Sequence, residues 1–163
     1  MTANTGRTQN KYTDVRVEDS GGTLRSIPVA TINGVGVTYD EQEVMAIQDQ
    51  LHNALSNHAN APIDITGPFD TSVAAAVGTL SGSHTVLSAI NGGNTPLALG
   101  VFVGVRHAWE DGEPVFGLSS SATSGYLCSA YTVDPIAGTY AARFVPYPGS
   151  TLPAWGTATI AVT

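Results

Sequence analysis

Charge is what this sequence has least of. Asp, Glu, Lys and Arg make up 12% of its 163 residues, about half the share of about 25% carried by ordinary soluble domains. Eleven of the nineteen charged residues lie between Arg7 and Asp49, four more between Arg106 and Glu113, and only Asp134 and Arg143 follow. A lone monomer would be poorly solvated along that last stretch. Low charge over Ser, Thr, Asn and Gly suits surfaces that become subunit contacts, because interface cores exclude charges that would be desolvated without a partner.

Basic residues are scarcer still. Six Lys and Arg against thirteen Asp and Glu give a net charge of -7 and a pI near 4.7, which excludes the clustered cations that replace phosphate counterions on a nucleic-acid-binding surface. The same acidity suits a wall that DNA passes without adsorbing, since like charges repel. A single cysteine, Cys128, excludes an internal disulfide. Its apolar setting, Tyr126-Leu127-Cys128-Ser129-Ala130-Tyr131, reads as a buried, inert thiol. No apolar run approaches the length of a membrane span, and Met1 to Gly6 carries no apolar leader core; the expectation is a protein made and used in a soluble compartment.

Catalytic patterns are equally thin. His52 and His58 are six residues apart, about 600° round a helix, so they do not share a face as metal ligands; His84 and His107 stand alone. Cys128, His107 and Asp134 supply the residue types of a thiol hydrolase without any local feature that would activate the thiol. Ser119-Ser120-Ser121 lacks a nucleophile elbow, and Gly34-Val35-Gly36 lacks the third glycine and the cation of a phosphate loop. Asp40, Glu41 and Glu43, with Glu110 and Asp111, offer oxygens for a hard cation and read equally well as solvated hairpin tips. The expectation is no enzyme, no metal and no cofactor.

What the chain does have is punctuation: 18 Gly and 9 Pro cut it into short segments. Residues 1–11 are small, polar and without period, and read as a flexible N-terminal arm; residues 12–163 read as one β-rich domain. Alternation predicts strands from Tyr12 to Glu18 and Leu24 to Val29 around the turn Asp19-Ser20-Gly21-Gly22, and from Ile32 to Tyr39, leading into a long hairpin. Ile47, Leu51, Ala54 and Leu55 follow helical spacing, so Ile47 to Asn57 is the predicted helix. A short strand covers Ile63 to Thr66. Thr71 to Gly78 and Ser83 to Ile90 are left between helix and loop, with Ser83 placed as an N-cap. Strands follow at 97–105, 115–118, 126–133, 139–145 and 157–162. The sum is mainly β: a β-sandwich or barrel with one flanking helix, an N-terminal arm and a long hairpin. Trp109 and Trp155 lie in turn-rich stretches, as core plugs or as interface anchors.

Three stretches in order, Tyr39 to Val44 leading to the 51–56 region, Ala61 to Asp70, and Ser83 to Thr95 before the strand from Leu97, with the closing strands 125–145, resemble the major tail (tail tube) protein family of long-tailed bacteriophages. The resemblance covers roughly residues 10 to 145; the segment 146–163 stands outside it. It implies a virion structural protein whose copies form rings, commonly hexameric, stacked into a DNA conduit, with other virion proteins as partners, assembled in the host cytoplasm and residing in the tail. It also implies that the arm and the 39–60 region contact the next ring, with Tyr39, Glu41, Glu43, Trp109 and Trp155 as candidate interface residues. A capsid decoration protein and a carbohydrate-binding β-sandwich are the alternatives: the first needs one capsid-facing surface, the second a concave aromatic patch.

Overall fold

The computed structural model describes residues 6–43 and 54–162. After a 3-10 turn at Asn10–Tyr12, β1 (Thr13–Glu18) and β2 (Leu24–Ile27) form the expected hairpin. Asp19 closes it, accepting the N–H groups of Gly21 and Thr23, each at 2.9 Å, and Arg25 Nε at 2.7 Å. Partial burial raises the Asp19 pKa, but these bonds to the ionised form prevail and leave it below the ordinary value.

The remaining strands are β3 (Thr31–Asn33), β4 (Thr38–Glu43), β5 (Ala54–Asn60), β6 (Ile63–Pro68), β7 (Leu99–Val103), β8 (Val115–Leu118), β9 (Tyr126–Asp134), β10 (Thr139–Pro146) and β11 (Ala154–Gly156). They make a five-stranded sheet A in the order β11-β8-β7-β1-β2 and a four-stranded sheet B in the order β3-β6-β10-β9. β4 and β5 pair only with each other. Every pairing between these strands is antiparallel.

Alternation along the strands builds the core. Val15, Val17, Leu99, Val101, Phe116 and Leu118 turn inward from sheet A, and Ile63, Ile65, Tyr140, Ala142 and Phe144 from sheet B; all are buried in one cluster. Each fully buried large apolar side chain contributes about 1.5–3 kcal/mol, so these two faces carry the sandwich. The helix α1 (Ser83–Ile90) packs on it through Val86, Leu87 and Ile90, one helical face.

The helix of the fold is therefore α1, and Ile47 to Asn57 is corrected in part: Ala54 to Asn57 belong to strand β5, paired with β4, and the rest of that stretch lies outside the described residues. Its i, i+4 spacing competes with strand pairing, and tertiary pairing overrides it from Ala54 onward. The 71–78 segment is loop. Ser83 is not the N-cap; Gly82 is, at a place where a side chain would meet Ser72 O at 2.3 Å, and Ser83 is buried one position inside, donating to Pro68 O at 2.8 Å. The predicted strand from Ile32 to Tyr39 is broken at Gly34, whose φ of +85° and close approach to Pro62 O turn the chain out of sheet B into the separate hairpin. At the C-terminal end the strand is Ala154–Gly156 and not 157–162; the latter runs beside sheet A through single bonds, Ser120 N to Ala161 O at 3.1 Å and Gly112 N to Thr157 O at 2.8 Å.

Candidate assembly surfaces

Sheet B presents a distinctive outward face. Opposite the buried Ile63, Ile65, Tyr140 and Ala142, the strands turn out Asp64, Thr66, Thr139, Ala141, Arg143, Ala130 and Thr132, small or polar apart from the one arginine. Its one cation, Arg143, sits directly across from Asp64, and Nη1 donates to both carboxylate oxygens at 3.1 and 3.0 Å. Thr31 and Thr66 join their hydroxyls across β3 and β6.

The edges of the two sheets differ. On sheet A, the outer side of β2 is met by Leu80 and Ser81: Leu80 bridges Ser26 in parallel fashion, and Ser81 N donates to Ser26 O at 2.8 Å. Sheet B ends in β3 on one side and β9 on the other. The 92–97 segment covers β9 only at its start, through Leu97 with Tyr126 and Gly92 N with Cys128 O. Beyond Cys128, no strand among the described residues pairs with the outer edge of β9. Here β9 is the open edge of sheet B while β10 beside it stays paired to β6, and the turn between them is capped where Asp134 Oδ1 accepts from Ile136 N at 3.0 Å and Ala137 N at 3.1 Å. Ile136 at its tip is 98% exposed.

The β4–β5 hairpin is the second projecting element. Val35 and Val37 root it against the core, Thr38 Oγ1 ties it to Asn60 O at 3.1 Å, and a register shift between Tyr39 and Glu41 bends it at Asp40. Tyr39, Asp40 and Glu41 are exposed, and Glu43 ends the strand. Three of the predicted interface residues thus share one strand, while Trp109 and Trp155 sit elsewhere.

Trp109 belongs to a loop, 104–113, built around the fully buried Glu113. Its carboxylate accepts Val105 N at 3.2 Å and Glu110 N at 3.1 Å, and His107 Nε2 stands 3.6 Å away. Trp109 Nε1 donates to Glu113 O at 3.0 Å, and its ring meets Phe102 edge-on at 4.8 Å. Arg16 lies over Phe102 at 4.1 Å and pairs with Asp14 at 2.6 Å. Trp109 is therefore half-buried among the chain's own groups, whereas Trp155, on edge strand β11, is 55% exposed with its ring 5.3 Å from Phe116. The loop holds Arg106 at φ +68°, a left-handed conformation costing roughly 1–2 kcal/mol for a residue with a side chain. His107 is raised above its ordinary pKa, first by its bond to Ala108 O at 2.6 Å and then, against some desolvation, by the Glu113 and Glu110 carboxylates.

The three residue types of a thiol hydrolase are not brought together. Cys128 lies in the core, 3.6 Å from Ala130 O, and burial pushes its thiol up to about 11; His107 faces Glu113; Asp134 caps the β9–β10 turn. His84 Nδ1 lies 2.9 Å from Tyr131 OH. An open cleft of about 990 Å³ between Asn10–Arg16 and the 26–32 segment holds Asp14 and Arg16, already bonded to each other.

No family model matches the chain, and no curated protein matches it. Among solved structures it is similar to a chain of the cryo-EM structure of an extracellular contractile injection system, PVC sheath/tube terminator in extended state, with a TM-score of 0.57 and 9% sequence identity. The likeness is one of fold. It takes in 94% of this chain and 99% of that one, so the two have nearly the same length and the whole sandwich is shared.

Sequence reasoning missed the Asp64–Arg143 pair, the Glu113 centre and the exposed β9–β10 tip. The first was findable, since Asp64 and Arg143 each alternate with buried neighbours in short strands. Glu113 carried no such signal, because a lone Glu beside Asp-Gly reads as turn surface.

Proposed function

We propose that this chain is a structural subunit of a tail tube: copies join side by side into a ring, and rings stack into a conduit whose inner wall is the outward face of sheet B. The observation that carries this reading is the pair of edges on sheet B. β3 and β9 run in opposite directions, because each of the three pairings between them is antiparallel. The β9 edge of one copy and the β3 edge of the next therefore meet antiparallel, and joining them satisfies backbone groups that an edge leaves open. Sheet A, met by Leu80 and Ser81 at β2, is less suited to this.

The face so placed fits a passing polyanion. Its single guanidinium is held by Asp64, leaving no unpaired cation there among the described residues to grip a phosphate, and Asn33, Asp134 and the Thr and Ala around them add no positive charge. The fold likeness to a chain of an injection-system structure supports the same reading. The chain acts by assembly and not by catalysis, with its own copies and other tail proteins as partners and the tail of the particle as its place.

Negative-stain electron microscopy of the purified chain across a concentration series tests this. Rings or hollow tubes are expected. Compact trimers or monomers that bind added capsids would replace the tube reading with capsid decoration.

A further inference from the structure

Hairpin tips are ordinarily built from Gly, Asn, Asp and Ser. The turn between β9 and β10 instead places Pro135, Ile136 and Ala137 between Asp134 and Gly138. All three are exposed, Ile136 at 98%, and Val133 beside them on β9 is exposed as well. This apolar knob is held in one shape: Asp134 Oδ1 accepts Ile136 N and Ala137 N, Gly138 N donates to Asp134 O at 2.9 Å, and Gly138 turns the chain back at φ +69°. A single surface aliphatic is commonplace, but an apolar cluster already fixed in shape loses little freedom when it enters a recess.

An apolar recess lies at the opposite edge. Besides Asp14 and Arg16, which bond to each other, the cleft of about 990 Å³ is lined by Pro28, Val29, Ala30, Ile32, Pro68 and Leu80. Leu80 is 57% exposed, and Val29 and Ile32 are only partly covered by the core. Residues 28–32 carry the chain from β2 into β3, and β3 is the edge of sheet B farthest from β9.

The rungs of sheet B set the height of both surfaces. Thr31, Thr66, Ala141 and Thr132 form one rung, and Asn33, Asp64, Arg143 and Ala130 another. The next rung toward the knob is Pro68, Thr139 and Asp134, and counting two residues back from Thr31 brings Val29 to it. Knob and recess therefore stand at the same end of the sheet on opposite edges. Where the β9 edge of one copy joins the β3 edge of the next on continued rungs, Thr132 meets Thr31, Asp134 meets Val29, and Ile136 falls beside the recess. Side chains that face outward stay outward in that register.

We propose that the Pro135, Ile136 and Ala137 turn of one copy docks in the 28–32 end of the cleft of a second copy. The contact is heterologous, a knob at one edge and a recess at the other, so it passes from copy to copy in the same sense as the edge pairing. It rests on the side-by-side reading of sheet B given above and adds the element that chooses the register. The small and polar outward residues of β3 and β9 distinguish poorly between pairings two residues apart, whereas a slip of two residues, about 7 Å, carries Ile136 off the recess.

Two cysteine pairs in the full chain test the contact and the edge pairing separately. Thr31→Cys with Thr132→Cys, oxidised to a disulfide, reports the edges. Ala30→Cys with Ala137→Cys, bridged by a short bismaleimide, reports the knob in its recess. All four positions are exposed, and Cys128 is buried. A ladder of covalent oligomers is expected from each pair. In the Thr31→Cys, Thr132→Cys background, Ile136→Asp and Leu80→Asp each lower the ladder about tenfold, and Ile136→Leu leaves it within about twofold. An edge ladder that ignores both Asp substitutions, or that forms with no ladder from the Ala30 and Ala137 pair, overturns the knob contact and leaves the side-by-side reading standing. A ladder from the Ala30 and Ala137 pair alone keeps the contact and removes the edge pairing. Covalent dimers and nothing larger from that pair mark a symmetric contact and overturn the heterologous one. Absence of both ladders removes both.

Discussion

Trp155 and Phe116 face each other across β11 and β8, their ring centroids 5.3 Å apart and tilted by 53°. The register makes Trp155 the last member of a row that begins in the core, Ile27, Val15, Val101 and Phe116, and ends at the sheet's rim. The two rings then differ in what they hold together. Phe116→Ala opens the core and is expected to lower stability by about 3–5 kcal/mol. Trp155→Ala is expected to cost about 1 kcal/mol in the dispersed monomer. Urea titrations followed by circular dichroism check both; equal losses would show that β11 is part of the core.

Glu113 organises the 104–113 loop through two backbone N–H groups while itself fully buried. Glu113→Ala removes both acceptors and is expected to cost about 3 kcal/mol, with Glu113→Gln recovering part of it. Thermal melts measure the loss. A shift of the Trp109 fluorescence, absent in Trp109→Phe, reports where it occurs.

His107 makes part of that loop's stability depend on pH. Its folded pKa lies above the ordinary 6.5, so the protonated form is favoured in the folded chain. The contribution is fully present below about 6.5 and is lost as pH rises through the folded value. Stability measured from pH 5 to pH 9 is expected to fall across that window, and His107→Gln to flatten this component of the curve.

Gly34 turns the chain from sheet B into the β4–β5 hairpin at φ +85°, with Pro62 O where a Cβ would stand. Gly34→Ala is expected to cost more than about 2 kcal/mol, because strain and clash add. Gly149→Ala, also at positive φ but with open space around it, costs about 1 kcal/mol. Comparing the two denaturation midpoints separates the clash from the dihedral.

Cys128 gives a probe of global opening. With its thiol buried and pushed up to about 11, its reaction with a disulfide reagent at about pH 8 is expected to run at least about 100-fold slower in the native chain than in urea. Equal rates would place the sulfur at the surface.

The alternation of β1, β9 and β10, and the turns at Asp19 to Gly22 and after Asp134, were legible in the sequence, because each carries a period of two and a turn residue with a physical reason for its place. The helix was not. Ile47, Leu51, Ala54 and Leu55 have the longer run of helical spacing, yet Ala54 and Leu55 pair with Glu43 and Gln42 as strand, while the shorter Ser83 to Ile90 is the helix because Val86, Leu87 and Ile90 meet the sandwich. Of the candidate interface residues, Tyr39 and Glu41 were readable as a projecting hairpin. Trp109 and Trp155 were not separable from sequence, since both sit beside Gly in turn-like stretches and only the register tells which one leaves the core.

The opposed directions of β3 and β9 carry an arithmetic consequence. In the proposed ring each copy would add four strands to the wall, an even number, so the up-down alternation would be unbroken at every seam whatever the number of copies. Pairing alone thus imposes no ring size. In such a ring the count would fall to geometry, to how sharply the four strands coil against one another, and a substitution that alters the bulge between Arg143 and Phe144 would change its circumference before it changed the rule by which neighbours join.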